Sequence, residues 1–207
     1  MCFLYRYRLW LIKNLFAVTL AAIAWTSIGL QYFTTDITLV NFFSYFTILS
    51  NLLIAVCLTF SLSLPKTSLG KYFSSLSVQS ATATYIFIVG LVYNLVLRGI
   101  MKLTGLAWML DNMVHVVVPV LYIIYWALFR PKGVLKYLDG VYWILFPFVY
   151  LLYSMLRGAA TGWYPYPFLN AIKLGYGSAI LNICLMIIVF FLTGMAVIRI
   201  TRFSGKS

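Results

Sequence analysis

The sequence predicts an all-α polytopic membrane bundle of about six transmembrane helices, with both termini in the cytoplasm. Three observations predict it. Hydrophobic residues make up 64% of the 207 residues and charged residues only 9%, against roughly 45–50% and 25% in a soluble domain. Mean hydropathy is +1.00. The apolar residues gather into six runs, each near the ~20 residues that carry a helix across a bilayer. This composition leaves too little polar surface for a water-soluble fold and is too apolar for a disordered chain.

The six runs lie near Trp10–Tyr32, Ile37–Leu62, Ser80–Leu97, Leu106–Phe129, Val141–Leu156 and Gly175–Ile198. A lone strand leaves its backbone unsatisfied in lipid, and the runs lack the alternation of a barrel wall, so each reads as a helix. The first follows Arg6 and Arg8 and is flanked by Tyr5, Tyr7 and Trp10, an interfacial belt. It is too long for the core of a signal peptide, and no small-residue cleavage site follows it. The second carries a polar stripe, and the stretch Pro65–Leu69 separates it from the third. The fourth holds the single histidine and ends at Arg130–Gly133. The fifth precedes Trp163, Tyr164 and Tyr166, aromatic residues suited to the opposite interface. The sixth opens on Gly175-Tyr176-Gly177, which suits close helix packing better than phosphate binding, since a third glycine and a preceding strand are missing. Six helices use roughly 120–140 residues. Residues 1–207 therefore read as one transmembrane domain, with no soluble catalytic or nucleotide-binding domain.

The charges encode orientation. There are fifteen Lys and Arg against three acids, Asp36, Asp111 and Asp139. They sit between the apolar runs rather than in one patch, which argues for topology and against nucleic acid as a partner. Arg6, Arg8, Lys13, Lys66, Lys71, Arg130, Lys132, Lys136, Arg199, Arg202 and Lys206 share one side; Arg98, Lys102, Arg157 and Lys173 share the other. The richer side is expected in the cytoplasm. In a bacterial host the expected location is the inner membrane.

Other motifs exclude chemistry. Cys2, Cys57 and Cys184 are too far apart for a disulfide framework or metal site, and Cys2 reads as a lone cytosolic thiol. One histidine with scattered Asp and Cys gives no metal site, and no cofactor is expected. Ser204-Gly205-Lys206-Ser207 echoes the end of a phosphate-binding loop but lacks the upstream glycine and the following helix. No nucleophile elbow occurs.

Two helices carry the residues that could do chemistry. Titratable side chains at membrane depth are costly and tend to be functional. His115 is one; at about 100° per residue, Asp111, His115, Pro119, Tyr122 and Trp126 share a face. Asp111, one turn away, is placed to hydrogen-bond the imidazole. A histidine joining two helices adhesively is the competing reading. On the second helix Asn41, Ser44, Thr47 and Asn51 fall within an arc of roughly 120°, with Ser50 just outside. A threonine here can simply bond its own backbone one turn back. Counting from the exterior ends of the two helices, Thr47 lies roughly 15 Å down and His115 roughly 14 Å. At equal depth they form the minimal pair of nucleophile and base, although depth does not choose Thr47 over Ser44. Asn51, Ser50 and Asn112 are candidate oxyanion or supporting groups. Ser44, Tyr122, Trp126 and Asn94 are candidate pocket-lining side chains. The exterior loop Trp163–Leu169 either roofs that pocket or forms an interfacial belt.

The stretch Tyr45-Phe46-Thr47-Ile48-Leu49-Ser50-Asn51, the run His115-Val116-Val117-Val118-Pro119 and Tyr164-Pro165-Tyr166-Pro167-Phe168-Leu169 occur in this order. Together they resemble the androgen-induced-gene family of membrane hydrolases and its small bacterial six-span relatives, over nearly the whole chain. Two details depart from that family. The proline after His115 is one residue closer than in animal members, and Asn170 stands where members often carry an acid. The resemblance implies hydrolysis of fatty acid esters of hydroxy fatty acids, with Thr47 as nucleophile and His115 as base. The expected partners are then a lipid ester and the surrounding membrane lipids. Without the resemblance, the residues leave open a small transporter or proton-coupled channel and a non-catalytic membrane assembly protein.

Overall fold

The computed structural model describes residues 2–100 and 102–204, with side chains from Tyr7 to Phe203. The Cys2 thiol, the Arg6 side chain and the tail motif ending in Lys206 and Ser207 lie outside the described residues. Every regular element among the described residues is helical: α1 (Cys2–Thr34), α2 (Leu39–Phe42), α3 (Phe46–Ser63), α4 (Ser68–Phe73), α5 (Leu76–Val92), α6 (Gly105–Asn112), α7 (Val118–Phe129), α8 (Tyr137–Thr161), α9 (Ala171–Leu174) and α10 (Tyr176–Ser204). Among the described residues six stretches are long and apolar enough to cross a bilayer: Tyr7–Thr34, Phe46–Ser63, Leu76–Leu97, Gly105–Phe129, Tyr137–Thr161 and Tyr176–Phe203. The protein is an all-α, multi-pass membrane protein. Its outward side chains fit lipid: Leu15, Phe33, Leu128 and Leu145 are all largely exposed. The last span has mean hydropathy 2.6 yet is only 11% buried, a combination that water would not tolerate.

The second span corrects the sequence expectation. It does not run unbroken from Ile37. Thr38 caps the short α2 by accepting from the Asn41 amide at 3.3 Å. The chain then tightens, with Ser44 N–H bonded to Asn41 O and Tyr45 N–H to Phe42 O. The Ser44 hydroxyl takes the Val40 carbonyl at 2.6 Å, so a side chain replaces the backbone donor and the helix stops. A new helix, α3, starts at Phe46. Thr47 is therefore in the first turn of its span, not ten residues into it, and depths counted along one continuous helix do not hold.

The chain divides into two compact units, Met1–Asp36 with Thr47–Lys132, and Ile37–Phe46 with Gly133–Ser207. In the first, α1 and α3–α7 pack through small and branched residues: Ala17, Ala24, Ile54, Ala55, Ile86 and Val118 are all nearly inaccessible. Small side chains let spanning helices approach closely. Trp25 donates to Thr59 at 3.1 Å and Trp126 to Ser80 at 3.0 Å. Each such bond stabilises a membrane bundle by only ~0.6 kcal/mol, so packing does most of the work.

Two spans of this unit slip into π-helix. Helix α5 runs on as a π segment, Tyr93–Leu97, and a second π segment, Met113–Val117, joins α6 to α7. The second slip has a chemical cause. Pro119 has no N–H, and the Val118 N–H reaches back five residues to Met113 O. The Val114 carbonyl is thereby left without a regular donor from its own helix. Pro147, inside α8, leaves that helix unbroken.

In the second unit α8 packs on α10, and Phe46 meets Phe146, Tyr150 and Phe190 with ring centroids 5.0–5.5 Å apart. Gly162, at φ +73°, ends α8 in the left-handed conformation that glycine adopts without strain. Gly158 gives the Tyr164 ring its seat, because a Cβ there would lie inside the ring. The loop after α8 is tied down by Asn182, which donates to Phe168 O at 2.8 Å. Asn170 caps α9, accepting from the amides of Ile172 and Lys173.

Candidate active site

The first unit brings Thr47 and His115 together. Thr47 Oγ1 lies 3.2 Å from His115 Nε2. On the other side of the ring, Nδ1 lies 2.9 Å from the Asp111 backbone carbonyl and 3.0 Å from Asp111 Oδ1. Both neighbours of Nδ1 are acceptors, so in the neutral imidazole the proton sits on Nδ1. Nε2 then offers its lone pair to the threonine hydroxyl. Threonine, histidine and aspartate thus stand in the order of a nucleophile, its base and the group that orients the base.

Tyr93, which sequence reasoning missed, completes the support. Its ring stacks on the imidazole with centroids 4.1 Å apart and planes 13° apart. Its hydroxyl donates to Asp111 Oδ2, so each carboxylate oxygen has a partner. The guanidinium carbon of Arg98 lies over the Tyr93 ring, 5.3 Å from its centroid. Eighteen residues separate Tyr93 from Asp111, and an aromatic in an apolar run carries no periodic signal. The one available hint was that a carboxylate at membrane depth needs two donors.

Asn51 has a different task from the one the sequence suggested. It is fully buried. One amide hydrogen goes to Thr47 O at 2.8 Å and the other to Val114 O at 3.0 Å. The second bond satisfies the carbonyl that Pro119 orphans. Asn51 therefore ties the first turn of α3 to the π segment that carries His115, and keeps no hydrogen for an oxyanion. Asn112 is also engaged, donating to Trp108 O and accepting from Arg98. Ser50, fully buried, has no partner for its hydroxyl and keeps its donor.

The pocket-lining candidates disperse. Tyr122 is fully buried, its hydroxyl directed at Gln79 O, and Trp126 is bonded to Ser80. Both are core residues between α5 and α7, two and three turns from His115. Asn94 is exposed and donates to the Gly90 carbonyl at 2.7 Å, which also accepts from the Tyr93 amide. Ser44 belongs to the second unit, where its hydroxyl meets Val40 O and the Tyr153 hydroxyl at 2.8 Å; Asn41 receives a bond from Arg157 there. The five-residue face expected on the fourth span is crossed by the π segment; Asp111 meets His115, while Tyr122 and Trp126 bond elsewhere. The loop Trp163–Leu169 packs into its own unit through Tyr45 against Trp163 and Tyr166.

No protein-family model, curated protein or solved structure matches this chain. Among the described residues no group of three or more His, Cys, Asp or Glu is placed to hold a metal ion.

Proposed function

We propose that the protein is an intramembrane hydrolase of lipid esters, acting through an acyl-threonine at Thr47. The observation that carries this reading is the contact between Thr47 Oγ1 and His115 Nε2, with Nδ1 held on Asp111. In this mechanism Nε2 takes the Thr47 proton as Oγ1 attacks the ester carbonyl carbon. The tetrahedral intermediate collapses, the C–O bond to the alcohol breaks, and the alcohol leaves with the proton from Nε2. Water then attacks the acyl-threonine, gives a proton to Nε2, and releases the fatty acid as Thr47 recovers its hydrogen. Asp111 steadies the imidazolium formed in each half.

The oxyanion needs donors that are in place before charge develops. Amides in a helix's first turn have no acceptor within the helix. The Ile48 amide, directly after the nucleophile, takes this role, with the Ser50 hydroxyl one turn on as its partner. The helix dipole favours negative charge at the same end. Resemblance to the androgen-induced-gene family supports fatty acid esters of hydroxy fatty acids as substrates. The charge asymmetry supports cytoplasmic termini and, in a bacterial host, the inner membrane.

The test uses Thr47→Val and Thr47→Ser in purified full-length protein reconstituted in lipid nanodiscs. A fluorogenic long-chain ester reports turnover, and a fluorophosphonate probe followed by peptide mapping reports the nucleophile. Thr47→Val keeps shape and loses the hydroxyl, so hydrolysis should fall at least about 10³-fold while the fold survives. Thr47→Ser should keep partial activity and probe labelling. Wild-type turnover by the Val variant would end the covalent mechanism.

A further inference from the structure

Among the described residues of the second unit, one cation stands without a counter-ion. Arg157 sits on α8 one turn before its end at Thr161. Arginine stays charged under all physiological conditions. Its Nη2 donates to the neutral carbonyl oxygen of Asn41, and the ring of Trp163 covers its face 4.4 Å from the guanidinium carbon. Its Nη1 is buried and has no hydrogen-bond partner. Of the three acidic residues only Asp139 belongs to this unit. It stands eighteen residues earlier on α8, roughly 27 Å away, and caps the other end of the helix by accepting from the Lys136 amide at 2.7 Å.

Burying part of a charge is tolerated when the charge is paired and its hydrogens are used. Here an amide oxygen and an indole face orient the guanidinium but neutralise nothing. The fork geometry of arginine fits two oxygens of a carboxylate or phosphate. The surroundings fit the rest of an amphiphile. Tyr45 lies against both Trp163 and Tyr166 at 5.7 Å, and Tyr166 stacks on Phe168 at 5.2 Å. Phe43, Leu152 and Leu156 expose apolar surface in the same unit.

We propose that Arg157, oriented by Asn41 and Trp163, binds the oxyanion head group of a single-chain or two-chain membrane amphiphile. The shared chemistry is a carboxylate or phosphate on an acyl or alkyl chain. Binding at Arg157 stands apart from the chemistry at Thr47 and does not require it.

The experiment measures retention of labelled palmitate by the full-length protein in phosphatidylcholine nanodiscs, against empty discs. Hexadecanol serves as the uncharged analogue. Wild type should hold palmitate at least about tenfold more tightly than hexadecanol, which corresponds to about 1.4 kcal/mol. Arg157→Gln should abolish the preference. Asn41→Asp is the second variant: it supplies an internal carboxylate to the same guanidinium, should keep or raise thermal stability, and should also abolish the preference. Thr47→Val should bind palmitate as wild type does, so failure of the hydrolase reading leaves this result intact. Dodecyl phosphate and phosphatidylglycerol separate the sources. If they displace palmitate, the site takes phosphate head groups as well; if they do not, it is selective for carboxylates. Equal retention of palmitate and hexadecanol by wild type overturns the proposal, and so does an unchanged preference in Asn41→Asp.

Discussion

Replacing Asn51 by Leu tests whether the two halves of the candidate site are held by a single side chain. The substitution keeps the branched shape of the side chain at a position with no solvent access, so no cavity opens. It removes two hydrogen bonds, to Thr47 O and Val114 O. At ~0.6 kcal/mol each in a membrane bundle, their loss costs about 1.2 kcal/mol. Thr47 O keeps its ordinary helical donor. Val114 O does not, because Val118 N–H is committed to Met113 O and residue 119 is proline. An orphaned buried carbonyl adds about 1–3 kcal/mol. The expected total is roughly 2–4 kcal/mol, with a loss of turnover of about 10²-fold from displacement of His115 relative to Thr47.

Stability can be followed by thiol labelling on heating, because Cys57 is buried and reacts only on unfolding; Cys2 and Cys184 are replaced by alanine for this assay. Pro119→Ala supplies the decisive control. It restores an N–H at position 119, which lets the helix satisfy its own carbonyls. In the background of Asn51→Leu it should recover at least about 1 kcal/mol, a coupling between residues that share one orphan group. An Asn51→Leu variant within about 0.5 kcal/mol of wild type, a surface-like value, would refute this account. So would strict additivity with Pro119→Ala.

Three further outcomes are expected. Asp111→Asn should slow ester hydrolysis about 10²-fold, less than the ~10⁴ seen when a triad aspartate is the sole holder of the tautomer, because the Asp111 backbone carbonyl still accepts from Nδ1 at 2.9 Å; kcat in nanodiscs measures it. Trp126→Phe should cost more than the ~0.6 kcal/mol of its lost bond to Ser80, because a buried indole gives way to a smaller ring, and leave KM unchanged, whereas a pocket wall would raise KM. Single cysteines introduced at Lys132 and Trp163 should react with an impermeant maleimide from opposite sides of sealed cells; labelling of both from one side would overturn the orientation read from the charges.

The spans were legible because lipid imposes one requirement, an apolar run of sufficient length, and five of the six came within five residues of their bounds at each end. The start of α3 was not legible. No glycine or proline interrupts residues 37–62; the break comes from the Ser44 hydroxyl competing for Val40 O, a choice that polar side chains make or decline according to packing. The pairing of Thr47 with His115 was expected, but for a reason that does not survive, since the equal depths assumed an unbroken helix. The tether through Asn51 was half visible: Pro119 announces a missing donor five residues after Val114, but which side chain would supply it depends on the approach of α3.

The irregular backbone and the polar cluster share one cause. Inside a bilayer a regular helix uses all its amides and carbonyls, so it offers no backbone group to chemistry and tolerates few side chains that need one. Free backbone groups occur only where a helix begins, ends or slips. Thr47 stands in the first turn of α3, His115 lies in one π segment and Tyr93 opens the other. The slip at Met113–Val117 exposes a carbonyl that must be answered by a side chain, and Asn51 answers Val114. Straightening the span around His115 would remove the need for Asn51 and with it the bond that holds Thr47 to the imidazole. Pro119→Ala, taken alone, should therefore stabilise the helix while loosening the site. Higher thermal stability with slower turnover would mark the slip as part of the working site; faster turnover would mark it as a defect the protein merely tolerates.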